Sequence, residues 1–169
     1  MKSSLVMFLM VLLTQQAMAA QCSLLESEGF TDSQTNTLYR AFQYGKEHDM
    51  AYSLAAIAWQ ESSAGVALKN PSDPSAGVFH VTVKNALHYA GWENTQPNQQ
   101  VMYELLQLDF DMAASFAVKN LTFWRNAYKV SWKKTWQYYN GGTSYSSSSI
   151  KYSDAIAKKV RKIKSCNWS

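Results

Sequence analysis

The chain of 169 residues carries 16 lysines and arginines against 12 acidic residues, which gives a formal net charge of +4. Its hydrophobic content of 47% is that of an ordinary globular protein with a real core. The two cysteines and three scattered histidines lack the spacing of metal ligands. We therefore expect no metal site and no cofactor.

The first 20 residues have the organisation of a secretory signal peptide. Lys2 is basic, Leu5–Leu13 is apolar throughout, and Ala17-x-Ala19 supplies the small residues of a cleavage site. The apolar run is shorter than the roughly 20 residues that cross a bilayer, so no stable membrane span is expected after cleavage. An uncleaved signal that acts as an anchor is the alternative. The expected location is periplasmic or extracellular, which argues against nucleic acid as a partner.

Residues 21–169 are enough for one domain, and their spacing predicts a mainly α fold with at most a small β element. Helices are expected over 32–48, 50–63, 83–89, 97–108, 111–128, 132–139 and 152–164. We expect an irregular lead-in over 21–30, a short strand or extended segment over 77–83, and a mobile serine-rich loop over 143–149.

Glu61 is the strongest candidate for a catalytic residue. It follows Leu54, Ile57 and Ala58 on the apolar face of a helix that ends at Ser62-Ser63. Burial and the negative end of the helix dipole both disfavour the charged form of a carboxylate there. A carboxylic acid that keeps its proton can serve as a general acid. Surface charge or a structural ion pair is the alternative explanation for a lone Glu on a helix.

Four segments then follow in a recognisable order: Glu61-Ser62, Ala76-Gly-Val-Phe-His-Val81, Tyr139-Asn-Gly-Gly142 and Tyr152-x-x-x-Ile156. Together they resemble the soluble lytic transglycosylase family, over roughly residues 38–163. The resemblance implies a lysozyme-like fold and non-hydrolytic cleavage of peptidoglycan. It further implies that one Glu acts as acid and then as base, while the 6-hydroxyl of the sugar closes a 1,6-anhydro ring.

The same resemblance implies roles for individual side chains. Glu61 would be the catalytic residue, and the substrate contacts would come from Ser62, Ser72 or Ser75, Gly77, Phe79, His80, Tyr139, Asn140 and Tyr152. Of these, the Tyr152 hydroxyl would lie close to the Glu61 carboxylate, and the serines would bond to that carboxylate or to the sugar. His80 stands where the family usually has Gln. A neutral imidazole offers a donor and an acceptor as an amide does, but its charge makes activity sensitive to pH.

Two further features concern the exported chain. Cys22 and Cys166 lie at opposite ends of the predicted domain, and an oxidising compartment favours a disulfide between them. From residue 119 onward, eleven lysines and arginines stand against the single acid Asp154. This basic half indicates either an anionic partner, such as the cell wall, or a balance with the acidic half of the fold.

Other functions fit the same residues. A hydrolytic, goose-type lysozyme would need a second acid to position water, and Asp73 is the best candidate. A protein that binds the wall without cutting it would keep the fold and lose turnover. The expected partner is in each case the glycan strand of peptidoglycan, with a secretion, conjugation or phage lysis assembly as a further possible setting.

Overall fold

The computed structural model of the protein describes residues 22–70 and 73–168. The helices within those residues are α1 (Ser23–Ser27), α2 (Asp32–Lys46), α3 (Ala51–Ser62), α4 (Val83–Ala90), α5 (Gln96–Leu108), α6 (Phe110–Tyr128), α7 (Trp132–Gly141) and α8 (Ser147–Lys164). A single small sheet is formed there by β1 (Ser75–Ala76) and β2 (Val81–Thr82). The expectation of a mainly α single domain is confirmed. The predicted signal peptide, residues 1–20, lies outside the described residues.

Helix α3 is the centre of the core. All residues from Ser53 to Ala58 are buried, so this helix is enclosed on every side rather than on one face. Three of them are alanines (Ala55, Ala56 and Ala58), whose small side chains let neighbouring helices approach closely. Helices α2 and α8 pack directly on α3. Glu61 is therefore carried by the most constrained element of the fold.

A tight hairpin faces the end of α3. Strand β1 pairs with β2 in antiparallel register, with Ala76 opposite Val81, and residues 77–80 form the turn. The predicted strand over 77–83 was thus partly wrong, because its first four residues form the connection instead. Gly77 begins this turn with a φ of +80°. A Cβ atom there would lie 2.1 Å from the Leu106 carbonyl oxygen, so only glycine allows the hairpin to pack against the end of α5.

Two segments expected to be irregular are partly helical. The lead-in over 21–30 contains α1. The serine-rich loop is also shorter than expected, because α8 begins at Ser147 and not near Tyr152. The Ser146 hydroxyl accepts from the Ser149 amide, and the Ser149 hydroxyl accepts from the Ser146 amide. A serine run that composition assigns to a loop therefore supplies the cap that starts a helix.

A disulfide joins the two ends of the described chain. Cys22 directly precedes α1 and Cys166 follows α8, and their sulfur atoms are bonded as the sequence predicted. In the part of the chain that the structure describes, no helix is both long and apolar enough to cross a membrane.

Candidate active site

The Glu61 carboxylate lies in the last turn of α3, and Ser63, which caps the helix directly after it, has a left-handed backbone conformation. Its side chain is only 16% exposed. It therefore sits at the boundary between the core and the surface, as the apolar face that precedes it predicted.

Tyr152 reaches Glu61 from the opposite end of the chain. It lies in the second turn of α8, is buried, and donates its hydroxyl hydrogen to Glu61 Oε1. Burial raises the pKa of Tyr152 well above the usual value for tyrosine, and the negative charge of Glu61 raises it further. The phenol consequently stays protonated and acts as a hydrogen-bond donor to the carboxylate.

His80 approaches the other oxygen of the same carboxylate. Its Nδ1 atom lies 3.5 Å from Glu61 Oε2, and its Nε2 atom lies 2.8 Å from the Ala67 carbonyl oxygen. A carbonyl accepts but cannot donate, so Nε2 must carry a hydrogen. Nδ1 is then the only position at which the ring gains or loses a proton. The Glu61–His80 pair can hold one proton between Nδ1 and Oε2, on either side.

The surroundings of His80 favour its protonated form. Burial, the largest single influence, lowers the pKa of the imidazole. The hydrogen bond to Glu61, the bond to the Ala67 carbonyl and the charges of Glu61 and Asp73 outweigh burial, so the net effect raises the pKa. His80 also has a φ of +41°, a left-handed conformation that is uncommon for a side chain with a Cβ. The hairpin turn thus holds this ring at some conformational cost.

Tyr139 closes the site from α7. Its hydroxyl donates to the Phe79 carbonyl oxygen at 2.8 Å, which ties α7 to the hairpin turn one residue before His80. The pKa of Tyr139 is raised well above its usual value. Burial is the largest cause, the charge of Glu61 is the second, and the influence of Tyr89 is the third. Both tyrosines near the carboxylate are therefore neutral donors.

Three predicted contact residues lie beneath the site instead of in an open groove. Ser62 is fully buried, and its hydroxyl bonds to the carbonyls of Ala58 and Val78 and to the Gly65 amide. Phe79 is fully buried against Phe110. Ser75 is buried and accepts from Asn70. These side chains hold the loop and hairpin against α3, and they offer a sugar almost no surface.

Of the remaining predicted residues, one supports the packing of the hairpin and one is exposed at the surface. Gly77 serves the close approach to Leu106, described above, rather than an approach to a ligand. Asn140 is exposed on α7, next to Tyr139. The alternative serine, Ser72, lies outside the described residues. The structure therefore brings Glu61, His80, Tyr139 and Tyr152 together, and leaves Asn140 free to meet a ligand at the surface.

Asp73 is exposed and lies close enough to His80 to influence its charge. It also lines a cavity of about 820 Å³ together with Asn70 and Tyr103. No direct contact joins Asp73 to Glu61 among the described residues. Within those same residues, no group of three or more His, Cys, Asp or Glu side chains is placed to hold a metal ion.

Sequence reasoning missed two contributors to the site. The Ala67 carbonyl fixes the tautomer of His80, and Tyr89, itself half-buried, influences Tyr139. A backbone carbonyl has no signature in a sequence. Tyr89 lies in the predicted helix 83–89, and its position there does not distinguish it from a residue that only packs in the core.

Comparison with known proteins gives one informative similarity. No protein-family model matches the chain, and no solved structure matches it significantly. The chain is 26% identical over 154 residues to an uncharacterised 20.7 kDa protein from the vs–regB intergenic region of Enterobacteria phage T4. The match covers 80% of this chain and 82% of the phage protein. Similarity at this level assigns no activity, so the lytic transglycosylase resemblance stays a prediction.

Proposed function

We propose that the protein cleaves the glycan strands of peptidoglycan without consuming water, with Glu61 as its single acid and base. One observation supports this most. The Tyr152 hydroxyl, 91 residues away in sequence, and the His80 imidazole both face the carboxyl group of Glu61. Each oxygen of Glu61 faces a different group, one a fixed donor and the other a proton carrier. This arrangement suits a carboxyl group that must give up a proton and then recover one.

In the first step, protonated Glu61 donates its proton to the oxygen of the bond between N-acetylmuramic acid and N-acetylglucosamine. The bond from the muramic acid C1 to that oxygen breaks, and positive charge develops on C1 and the ring oxygen. Glu61 is left as a carboxylate. The Tyr152 hydroxyl already points at Oε1, so it stabilises the charge as it forms, without reorganisation.

In the second step, the Glu61 carboxylate takes the proton of the muramic acid 6-hydroxyl. The freed oxygen attacks C1 and closes the 1,6-anhydro ring, and Glu61 regains its proton. No water is consumed, because the attacking oxygen and the proton that returns to Glu61 both come from the sugar. A second carboxylate is not needed for this route, because the nucleophile belongs to the sugar.

His80 serves this cycle as a proton store. The Nδ1 atom is the only titrating position of the ring and it faces Oε2, so the pair keeps one proton available to Glu61. A glutamine at this position can donate a hydrogen bond but cannot hold a proton in this pH range. The departure from the family pattern is therefore consistent with activity and changes how activity depends on pH.

The phage relative favours one biological setting. That relative is encoded by Enterobacteria phage T4. Cleavage of the host cell wall would serve a phage in lysis or infection. We propose a phage setting for this activity in preference to secretion or conjugation. Export to the periplasm, where the disulfide would form, agrees with a peptidoglycan substrate.

A hydrolytic lysozyme is the second candidate, and Asp73 is the observation that favours it. This exposed carboxylate influences the charge of His80, which faces Glu61, so it could orient a water molecule on the far side of the sugar. The products separate the two functions, because an anhydro end is lighter than a reducing end by one water.

The test is mass spectrometry of fragments released from purified peptidoglycan by the mature protein. Glu61→Gln should reduce release by at least about 10²-fold, since a general acid contributes that much or more. Glu93→Gln, an exposed and matched substitution, should leave release unchanged. Anhydro-muropeptides support the proposal and reducing ends support the lysozyme. Tight binding of the wall without release by the wild type would mean that the protein holds the wall and does not cut it.

A further inference from the structure

A second cavity, of about 610 Å³, lies on the flank of the unit formed by α3 and α8. We call it the lysine pocket, because its lining includes Lys151, Lys158, Lys159 and Lys162. Trp59 of α3 contributes an aromatic ring to the same lining. It is separate from the side chains that surround Glu61, none of which lines it.

Some charged residues of the lysine pocket form ion pairs and others do not. Of its two acids, Glu28 pairs with Lys162, and Asp154 pairs at 2.7 Å with Lys133, which lies outside the lining. No carboxylate pairs with Lys151, Lys158 or Lys159 among the residues the structure describes. Three cations without a direct ion-pair partner in the described chain therefore border a concave surface whose four lysines outnumber its two acids, and an anionic ligand would balance the excess positive charge.

Lys159 is the most constrained of these cations. Its ammonium group donates to Gln60 Oε1 at 2.8 Å and lies 5.4 Å from the centre of the Trp59 ring. Burial lowers its pKa, and the positive charges of Lys162 and Lys158 lower it further against the opposing charge of Glu28. A half-buried ammonium beside like charges is stabilised when an anion binds next to it.

The lining indicates which anion fits. A cavity of this volume is far larger than one phosphate or carboxylate group. The two acids disfavour a uniformly negative polymer such as nucleic acid or polyphosphate, while Trp59 and Ala155 offer apolar surface. A short peptide with several carboxylates, an amine and aliphatic carbon matches all three features.

We propose that the lysine pocket binds the peptide stems of peptidoglycan through their carboxylates. This inference rests on the proposed function for the identity of the peptide. The pocket and the candidate active site are carried by the same two helices. Gln60, which accepts a hydrogen bond from Lys159, directly precedes Glu61, and Lys151 of the lining directly precedes Tyr152. A strand whose peptide stem occupies the pocket is held near the candidate active site, so strands that carry stems should be cleaved faster than strands stripped of peptide.

The first experiment measures binding apart from cleavage. The Glu61→Gln protein is titrated calorimetrically with an N-acetylated stem tetrapeptide, L-Ala-γ-D-Glu-meso-diaminopimelyl-D-Ala. Adding Lys151→Gln and Lys158→Gln should weaken the Kd at least about tenfold, and raising the salt concentration should weaken binding of the parent. Lys46→Gln with Lys84→Gln removes the same charge from exposed positions outside the pocket and should leave the Kd unchanged.

Absence of tetrapeptide binding, or equal loss in both double variants, overturns the proposal. Tighter binding of polyphosphate than of the tetrapeptide, lost in the pocket variant alone, also overturns it by assigning the pocket to phosphate. If the protein binds anionic phospholipid vesicles more tightly than the tetrapeptide, and only the pocket variant loses that binding, the proposal is overturned in the same way.

The second experiment uses the catalytically intact protein on whole sacculi and on strands freed of peptide by an amidase. The pocket variant should be slower on sacculi and unchanged on bare strands. Equal slowing on both substrates contradicts a role in stem recognition. Tetrapeptide binding that depends on the pocket, without cleavage of either substrate by the wild type, would support the pocket and reject the proposed activity.

Discussion

The hydroxyl of Tyr152 donates a hydrogen bond to Oε1 of Glu61 across 91 residues of sequence. This contact joins the second turn of α8 to the last turn of α3, the central helix of the core. The Tyr152 ring is itself buried, so packing fixes the donor before any substrate arrives. The catalytic candidate and its hydrogen-bond donor are thus both held by helices that pack directly against each other in the core.

Tyr152→Phe should lower the cleavage rate about tenfold or more while the protein stays folded. The variant keeps the buried ring but removes the donor, and a hydrogen bond to a charged group contributes about 1.5–3 kcal/mol. Initial rates of fragment release and circular dichroism measure the two effects. Tyr145→Phe, at an exposed ring, is the matched control and should behave as the wild type. An unchanged rate for Tyr152→Phe would show that its hydroxyl takes no part in the chemistry.

The dependence of activity on pH should change when His80 becomes Gln. The proposed cycle draws on a proton at His80 Nδ1, which faces Glu61 Oε2, and the raised pKa of His80 keeps that proton bound to higher pH. Wild-type activity should therefore fall only as the pH rises through the raised pKa of His80. In His80→Gln the fall should begin at lower pH. Rates measured from about pH 5 to about pH 9 test this, and identical profiles would remove His80 from the proton cycle.

His80 should also make stability depend on pH. Because folding raises its pKa, protonated His80 stabilises the folded state. This contribution is fully present below the unfolded pKa of about 6.5 and is lost as the pH rises through the folded value. The free energy of unfolding of the wild type, minus that of His80→Gln, should therefore decrease on the alkaline side. Denaturant titrations measure it, with His48→Gln at an exposed ring as the control. A difference that grows with pH contradicts the assignment.

Gly77→Ala should destabilise the protein by at least about 3 kcal/mol, because strain at a positive φ adds to a backbone clash. The new Cβ would lie 2.1 Å from the Leu106 carbonyl oxygen, and the backbone on both sides is packed. Gly91→Ala separates the two terms. Its φ is +71° but nothing lies within 4 Å of the new atom, so a cost of only about 1 kcal/mol is expected. Equal losses of unfolding free energy in the two variants would argue against the close approach at Gly77.

Removal of the Cys22–Cys166 disulfide should lower the free energy of unfolding by up to about 5 kcal/mol. The bond closes a loop of 144 residues, and a long loop restricts the unfolded chain most. Chemical unfolding of a Cys22→Ala/Cys166→Ala variant against the oxidised wild type gives the difference. Reductant should destabilise the wild type and leave the variant unaffected. An equal response of both proteins to reductant would contradict this account.

Local sequence patterns were a good guide to the helices. The apolar residues of 50–63, spaced three to four apart, predicted α3 and the position of Glu61 at its end. They did not predict that α3 is enclosed on every side, because that depends on how the neighbouring helices pack. Local patterns were misleading where composition competes with capping. The run from Ser146 to Ser149 has the composition of a loop, yet its hydroxyls bond to the backbone amides that start α8.

Part of the candidate site could be predicted from the sequence. Periodicity predicted the mainly α fold and the carboxylate at a helix end, and the small number of cysteines predicted their pairing. The family resemblance implied that the Tyr152 hydroxyl lies close to Glu61, as it does in the structure. The orientation of the other side chains around that carboxylate was decided only by tertiary packing. Ser62 and Phe79 turned inward, while His80 and Tyr152 met Glu61 from segments 19 and 91 residues away. Such orientations follow from the packing of whole elements, which no local pattern contains.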